Sequence, residues 1–257
     1  MKNWLLKRRR RRLRSRTRSR SKLLRYSIYL FRLFILLLVI DIFYISYIWP
    51  DWSEFGRGTV KKTRFIQAYE EKRKNNPDLP LLSWTPVKMN WIPRSMRNAV
   101  IVAEDSRFYQ HTGFDLDALK DAMEYNIEHL DFKYGASTIS QQTIKNMFLS
   151  SSKNPLRKWH ELILTVGMEI KLSKSRILEI YLNVAEFGTG IFGVEAAAQH
   201  YYGISSHTLS TWQSATLAAT LPSPKKHNPQ TQTKRFKKRA KKIFRYLKIL
   251  SGKTTKY

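Results

Sequence analysis

The segment 103–115 combines a carboxylate, an aromatic ring and an imidazole at helical spacing. Glu104, Phe108 and His111 are four and then three residues apart, so a helix would place them on one face with Asp105 at its margin. A carboxylate beside an aromatic ring on a partly buried face loses hydration, which raises its pKa towards the range useful in general acid–base catalysis. The alternative is an exposed helix end with solvated carboxylates, and the pattern alone leaves both open.

A second segment, 135–146, carries uncharged hydrogen-bonding side chains and one lysine. Ser137 or Thr138 can cap a helix here, and Gln141 stands at the capping-box position after Thr138. Three polar side chains then share or flank one helix face: Gln142, Lys145 and Asn146. Amides beside a single ammonium group suit a sugar and a phosphate better than a protein core.

Two further pairs have the same helical spacing. Arg157 and Glu161 are four residues apart, which fits either a surface ion pair worth about 0.3–0.5 kcal/mol or a functional pair. Glu179 and Asn183 share a face of another predicted helix, and nearby glycines permit a tight loop close to a ligand: Gly188, Gly190 and Gly193.

The elements that must position these residues are predicted to be helices. A short helix is expected at residues 63–74. Three other helix starts carry recognisable signals: the cap and first-turn proline at Asn154-Pro155, the cap Ser173, and the capping box of Ser210 with Gln213. No segment alternates with period two for long enough to require a sheet, so the middle of the chain is predicted to be mostly α-helical.

The charge of the chain is concentrated at its two ends. The 257 residues include 47 Lys and Arg against 19 Asp and Glu, a formal charge of +28. Residues 1–25 and 225–257 each hold 13 basic residues and no acidic one, whereas 42–224 hold 20 basic and 18 acidic residues. The absence of cysteine excludes disulfides, thiol catalysis and thiolate zinc sites.

An apolar stretch of 23 residues, 27–49, follows the basic N-terminal arm. As a helix it would be about 34 Å long, enough to cross the hydrocarbon layer. Arg32 lies near one end, and the cost of the deeper Asp41, up to about 2.5–3.5 kcal/mol, is outweighed by the Leu, Ile and Phe residues around it. Because the basic arm precedes the helix, the positive-inside rule places residues 50–257 outside the cytoplasm.

Five clusters in this order, the last two at 174–193 and 213–224, resemble those of the peptidoglycan glycosyltransferases, glycosyltransferase family 51. The first three clusters contain motifs of this family. They are Glu-Asp-x-x-Phe-x-x-His-x-Gly-x-Asp at 104–115, Gly-Ala-Ser-Thr-Ile-Ser-Gln-Gln at 135–142 and Arg-Lys-x-x-Glu at 157–161. The second departs from the usual Gly-Gly-Ser-Thr-Ile-Thr-Gln-Gln at its second and sixth positions. The resemblance covers roughly residues 84–229.

The resemblance implies an all-α, lysozyme-like, two-lobed domain that polymerises lipid II. The 4-hydroxyl of an acceptor GlcNAc would displace the lipid pyrophosphate from the donor with inversion, giving a β-1,4 link. Glu104 would be the base, Lys145 and Arg157 would neutralise the pyrophosphate, and Glu161 would be the second essential carboxylate. Other side chains would shape the cleft or hold substrate: Asp105, Phe108, His111, Ser137, Thr138, Gln142 and Asn146. Glu179 and Asn183 would support the cleft.

The resemblance also bears on cofactors, partners and location. No cofactor is required, although Mg²⁺ or Mn²⁺ at the pyrophosphate is left open. The expected partners are lipid II, lipid-linked glycan and membrane phospholipids, with other cell wall synthesis or division proteins left open and no nucleic acid. In a Gram-negative bacterium, the chain would be anchored in the inner membrane with its catalytic domain in the periplasm. The expected organisation is a basic arm, an apolar helix, a linker, a catalytic domain and a basic tail: 1–26, 27–49, 50–83, 84–229 and 230–257.

Two other functions compete with this interpretation. A lytic enzyme of lysozyme type would share the fold but use a protonated Glu as acid. A membrane-tethered scaffold would use the basic tail, in which an apolar stripe from Phe236 to Leu250 predicts a helix lying on the bilayer without a part in the chemistry. A bifunctional penicillin-binding protein is excluded because the chain lacks Lys-Thr-Gly and has too few residues for a transpeptidase domain.

Overall fold

The structure is a computed structural model that describes residues 2–129, 135–149 and 154–254. Two compact units make up the chain, Met1–Pro50 and Asp51–Tyr257. The first unit is one helix, α1, over Lys2–Ile48. The second unit contains all the residues that the sequence assigns to chemistry.

Helix α1 confirms the predicted apolar helix. Its stretch Leu24–Ile48 has a mean hydropathy of 2.4 and is not buried inside the protein. Within the described ranges, this is the one helix long and apolar enough to cross a membrane. Its 25 residues span about 37 Å, more than the hydrocarbon layer of about 30 Å.

The second unit is mostly helical, as predicted. Its helices are α2 Ser53–Gly56, α3 Arg64–Asn75, α4 Arg94–Glu104, α5 Leu116–Glu128, α6 Ile139–Phe148, α7 Pro155–Lys171, α8 Lys174–Val184, α9 Val194–Tyr202, α10 Thr211–Thr220 and α11 Lys234–Thr254. The predicted caps are present: Asn154 and Ser173 accept from backbone N–H groups of α7 and α8, and Ser210 forms a capping box with Gln213. These caps satisfy N–H groups that a helix start leaves unpaired.

A small sheet accompanies the helices. Strands β1 Ser83–Trp84, β2 Glu186–Gly188 and β3 Ile191–Phe192 lie in the order β1-β3-β2, with β1 parallel and β2 antiparallel to β3. Strands of two or three residues are too short to produce a period-two pattern, which is why the sequence did not predict them. Gly193, at φ 82°, follows β3, and a Cβ there would come within 2.7 Å of the carbonyl oxygen of Asn183.

Helix α8 is the centre of the core around the site. Its residues Ile177–Val184 are buried except for Glu179, and the helix packs against α6. Each fully buried Leu or Ile side chain stabilises the fold by about 1.5–3 kcal/mol relative to exposure. The buried α8 therefore gives α6, which carries several of the predicted site residues, a rigid support.

The C-terminal helix α11 packs against α4 and α10 instead of presenting its stripe to a bilayer. Phe236, Ala240, Ile243 and Leu247 are at most 4% exposed. The prediction that this apolar stripe lies on the membrane is therefore wrong. An amphipathic pattern requires an apolar surface to cover it but does not specify which, and here α4 and α10 provide that surface.

Helix α7 has the opposite arrangement. The buried face includes His160, Glu161 and Leu164, whereas apolar residues on its other face are exposed by 44–73%: Leu156, Trp159, Val166 and Ile170. These apolar residues recur at helical spacing and thus mark an outward-facing surface of α7, not its core face.

Candidate active site

Glu104 is the last residue of α4. The backbone becomes extended at Asp105, with φ −161°, and turns follow up to Gly113. The predicted helical face shared by Glu104, Phe108 and His111 is therefore wrong. The reason is that the carboxylate of Asp105 bonds to His111 and to the backbone N–H of Ile139, and these hydrogen bonds compete with continuation of the helix.

The carboxylate of Glu104 is buried and hydrogen-bonded on both oxygens. Arg239 Nη2 donates to Oε1 at 2.7 Å, and Gln142 Nε2 donates to Oε2 at 3.0 Å. The hydroxyl of Tyr181 donates to Gln142 Oε1 at 3.0 Å, which fixes the orientation of the amide. Burial raises the pKa of Glu104, whereas the positive charge of Arg239 and the hydrogen bond from Gln142 oppose that rise.

Asp105 and His111 join this segment to the start of α6. The Gly113 N–H donates to His111 Nδ1 at 3.1 Å, so Nε2 of a neutral imidazole carries the proton and donates to Asp105 Oδ1 at 3.0 Å. The other oxygen of Asp105 accepts from the backbone N–H of Ile139 at 2.9 Å, at the N-terminus of α6 where a negative charge is favourable. Phe108 is fully buried. Asp105 and His111 thus tie the segment that follows Glu104 to the start of α6.

The cap of α6 uses the side chain of Thr138 in two hydrogen bonds. Its hydroxyl accepts from the Gln141 N–H in the predicted capping box and donates to the carbonyl of Gly113 at 2.7 Å. Thr138 is 2% exposed, whereas the neighbouring Ser137 is exposed. Of these two predicted binding residues, Ser137 is the accessible one and Thr138 sets the position of the helix.

Polar side chains of α6 line a cavity of about 210 Å³. Gln142, Lys145 and Asn146 lie on one wall, and Tyr181 and Glu186 are among the other lining residues. Because Gln142 also bonds to Glu104, this cavity adjoins the buried carboxylate. The amide and ammonium groups predicted to meet a sugar and a phosphate are therefore brought together.

Lys145 lies within the electrostatic field of both predicted essential carboxylates. Burial lowers the pKa of its ammonium group, and so do the positive charges of Arg157 and Lys158. The carboxylates of Glu161 and Glu104 raise the pKa of Lys145 and partly offset those effects. The second and third sequence motifs thus converge on one site.

The pair of Arg157 and Glu161 is not a surface ion pair. Glu161 is 2% exposed, and its Oε2 accepts from Arg157 Nη1 at 2.8 Å while Lys158 binds the other oxygen. A buried carboxylate with two cationic partners keeps the guanidinium in one place. The helical spacing predicted the contact correctly, but only the structure shows that the contact is buried and not on the surface.

Glu179 and Asn183 attach the segment after β1 to α8. Asn183 Oδ1 accepts from the Val87 N–H at 2.7 Å, and its Nδ2 donates to the Val87 carbonyl at 2.9 Å. Glu179 Oε2 accepts from the Met89 N–H at 3.0 Å, and Arg176 binds its other oxygen. These side chains act on the backbone around the site.

The residues around the site do not form a protein cage for a metal. Within the described part of the chain, no three His, Asp or Glu side chains come together. Both oxygens of Glu161 are already bound to Arg157 and Lys158. The described side chains therefore do not supply a closed protein cage for Mg²⁺ or Mn²⁺, and an ion held partly by the pyrophosphate of a substrate stays an untested prediction.

Sequence reasoning missed three residues of the site. Arg239 was assigned to a tail without chemistry, and Tyr181 and Glu186 were not selected. Burial raises the pKa of the Glu186 carboxyl group. The ammonium group of Lys225 opposes that rise, because its Nζ lies 3.3 Å from Glu186 Oε1. Glu186 could have been selected from the sequence, because it is an acidic residue next to the predicted glycine loop. No residue near Arg239 in the sequence indicates that Arg239 bonds to Glu104.

The site is defined by the carboxylate of Glu104 bonded to Arg239, next to a polar cavity that Lys145 lines, within a helical domain. The comparison with known families gives the class of this domain. The sequence profile of the family described as Transglycosylase matches residues 82–248. The chain therefore belongs to the transglycosylase family. The match extends beyond residue 229 and includes most of α11.

Individual relatives carry a more specific description. A biosynthetic peptidoglycan transglycosylase of Nitrosospira multiformis is 39% identical over 214 residues, covering 82% of this chain and 92% of the relative. One of Nitrosomonas eutropha is 41% identical over 222 residues, covering 84% and 89%. One of Bordetella avium is 45% identical over 173 residues, covering 66% and 72%. The resemblance to peptidoglycan glycosyltransferases drawn from the motifs is thereby confirmed.

Proposed function

We propose that this chain is a peptidoglycan glycan polymerase that uses lipid II at a membrane surface. The observation that carries the proposal is the hydrogen bond between the buried carboxylate of Glu104 and Gln142, which lines a polar cavity together with Lys145. Family membership and the description of the relatives supply the reaction class.

Glu104 acts as the general base. The 4-hydroxyl oxygen of the acceptor GlcNAc attacks C1 of the donor MurNAc while its proton passes to the Glu104 carboxylate. The bond between C1 and the pyrophosphate oxygen breaks, and its electron pair leaves with the lipid pyrophosphate. One displacement converts the α-linked donor into a β-1,4 product, so no covalent enzyme intermediate forms.

Lys145 and Arg157 neutralise the charge that the pyrophosphate gains. Cations held in place before the reaction cost no reorganisation when that charge develops. Glu161 fixes the guanidinium of Arg157, which has further N–H groups for phosphate oxygens. Gln142 and Asn146, on the same cavity wall as Lys145, bind the donor sugar, and the exposed Ser137 lies at the start of their helix.

The pairing of Glu104 with Arg239 favours synthesis over lysis. A lytic enzyme of lysozyme type needs a protonated carboxyl group as its acid. Burial raises the pKa of Glu104 and so favours its protonated form, whereas the guanidinium in direct contact opposes this and favours the ionised carboxylate that a base requires. Cations beside the cavity also suit a departing pyrophosphate, which hydrolysis of a glycan does not release.

The lipid substrate gives membrane attachment a mechanical reason. Lipid II stays in the bilayer, so an anchored enzyme meets it at a high effective concentration. Helix α1 supplies the apolar span, and the exposed apolar face of α7 supplies further surface suited to a bilayer.

Replacement of Glu104 by Gln tests the proposal directly. The amide keeps the shape of the side chain but removes its basicity, so E104Q should polymerise lipid II about 10²–10⁴-fold more slowly than the wild type. The measurement is the initial rate of glycan formation and lipid pyrophosphate release by the full-length protein in detergent. The exposed Glu124 of α5 provides the matched control E124Q, which should keep the wild-type rate.

Two outcomes would contradict the proposal. A folded E104Q variant that polymerises at the wild-type rate would eliminate Glu104 as base. Shortening of preformed glycan by the wild type, with lipid II left intact, would identify a lytic enzyme.

A further inference from the structure

Arg239 reaches Glu104 from the far end of the chain. It lies on α11, 135 residues from Glu104 in sequence, and its side chain is 35% exposed. Its Nη2 atom donates both to Glu104 Oε1 at 2.7 Å and to the carbonyl oxygen of Ala103 at 2.9 Å. The second contact places a positive charge at the C-terminus of α4, where the helix dipole favours a cation.

We propose that Arg239 is a positioning residue of the active site, which fixes the Glu104 carboxylate and keeps it ionised for its role as base. The proposal rests on the proposed function of Glu104. It makes α11 part of the catalytic machinery, since without this helix the carboxylate loses its cationic partner.

The charged groups around Glu104 show why Arg239 matters. Asp105 adds a negative charge that raises the pKa of Glu104 further, beyond the effect of burial. Tyr181 of α8 is fully buried with a strongly raised pKa, so its phenol stays neutral. Lys145 of α6 interacts with Glu104 electrostatically, and α10, which packs against α4, carries no charged residue. Among the described residues, Arg239 is the cation that bonds directly to Glu104.

The chemistry of arginine fits this task better than that of lysine. A guanidinium stays charged at every working pH, and its planar group holds a carboxylate in a defined orientation. Helix α11 is itself fixed by the buried Phe236, Ala240 and Ile243 on either side of Arg239. The guanidinium is therefore held by a packed helix and not by a flexible tail.

The test compares the pH dependence of polymerisation for the wild type, R239Q, R239K and the control R235Q. Arg235 is an exposed arginine of the same helix, so R235Q removes the same charge without touching Glu104. Loss of a directly bonded cation raises a carboxylate pKa by about 1–3 units, so R239Q should move the acid limb of the profile to higher pH by that amount. One pH unit below its new midpoint R239Q should be about 10-fold slower than on its own high-pH plateau, and raising the pH should restore much of the rate.

R239K separates charge from geometry. We expect an acid limb close to that of the wild type, because the charge remains, together with a lower kcat and an unchanged KM for lipid II. R235Q should match the wild type in all three quantities. If R239Q does not fold, as judged by circular dichroism and thermal unfolding, R239K alone tests the proposal. A lower kcat with an unchanged KM would then support it.

Each contrary outcome is distinct. A folded R239Q with an unshifted profile, whether its rate is normal or uniformly reduced, would overturn the proposal by showing that Arg239 is dispensable or merely structural. A wild-type kcat in R239K, when R239Q is unfolded, would also overturn it. A wild type that makes no polymer from lipid II would instead refute the proposed function itself.

Discussion

Lys145 has a charge that its surroundings control. Its ammonium group is partly buried beside Arg157 and Lys158, and these effects lower its pKa against the opposing pull of Glu161 and Glu104. A lysine is charged below its pKa and neutral above it. The ability of Lys145 to neutralise a pyrophosphate is therefore lost as the pH rises through a pKa that is lower than usual for lysine.

Replacement of Lys145 by Arg tests this consequence. Arginine does not lose its charge at working pH, so K145R should lack the alkaline fall in rate that the wild type shows. One pH unit above its midpoint, the wild type should have lost about 10-fold of its rate, while K145R should remain on its plateau. The measurement is the initial rate of lipid II polymerisation against pH.

The control for this prediction is K120R, because Lys120 is an exposed lysine of α5 with a 75% exposed side chain. It should keep the wild-type profile. An alkaline limb in K145R at the same pH as in the wild type would show that another group titrates there.

At the scale of the element, helix α11 does two things that a membrane-lying tail would not do. It buries an apolar stripe against α4 and α10, and it carries Arg239 to Glu104. Its outer face is basic and exposed, with charged side chains such as Lys238 and Lys241. The pattern of this helix thus serves the stability of the fold and the geometry of the site together.

Truncation of Phe236 distinguishes packing from membrane docking. Phe236 is 2% exposed, so F236A leaves a cavity and should lower the free energy of unfolding by about 3–5 kcal/mol. Thermal unfolding followed by circular dichroism measures the change. Y246A is the matched control, since Tyr246 lies on the same helix with 49% exposure and should cost far less. A wild-type Tm for F236A, with weaker binding to vesicles, would restore the membrane-docking interpretation.

At the scale of the whole molecule, charge distribution predicts orientation. Residues 1–25 carry 13 basic residues and no acidic one, and they run into the apolar stretch Leu24–Ile48. We therefore expect the N-terminus in the cytoplasm and residues 50–257 outside. This orientation would place the cavity of the site on the side of the membrane where an exported lipid-linked sugar is available.

Substitution of the arginine run 8–12 by Glu tests this orientation. A C-terminal reporter enzyme that is active only after export should be active on the wild-type chain and lose a large part of its activity on the substituted chain. The control replaces five exposed basic residues of α11 by Glu, which should leave the orientation unchanged because they lie far from the span: Lys234, Arg235, Lys237, Lys238 and Lys241. Unchanged export after the substitution at 8–12 would show that another feature sets the topology.

The sequence alone determined the features that depend on neighbours within about four residues. The caps at Asn154, Ser173 and Ser210 were predicted correctly, and Thr138 was one of the two candidate caps of α6, because a capping side chain and its N–H partner lie in the same turn. The contact of Arg157 with Glu161 follows from the same short spacing. The apolar composition of 27–49 likewise required no tertiary information.

Only the tertiary structure decided which of these local features are buried and which distant residues meet. Glu161 of the Arg157–Glu161 pair is buried, and so is much of the apolar stripe of α11. Arg239 bonds to Glu104 although 135 residues separate the two in sequence. Spacing along a helix fixes a direction around its own axis, but the partner in that direction depends on how all the helices pack. For that reason the sequence alone indicated Glu104 as the proposed base, whereas only the fold showed that the guanidinium of Arg239 bonds to it.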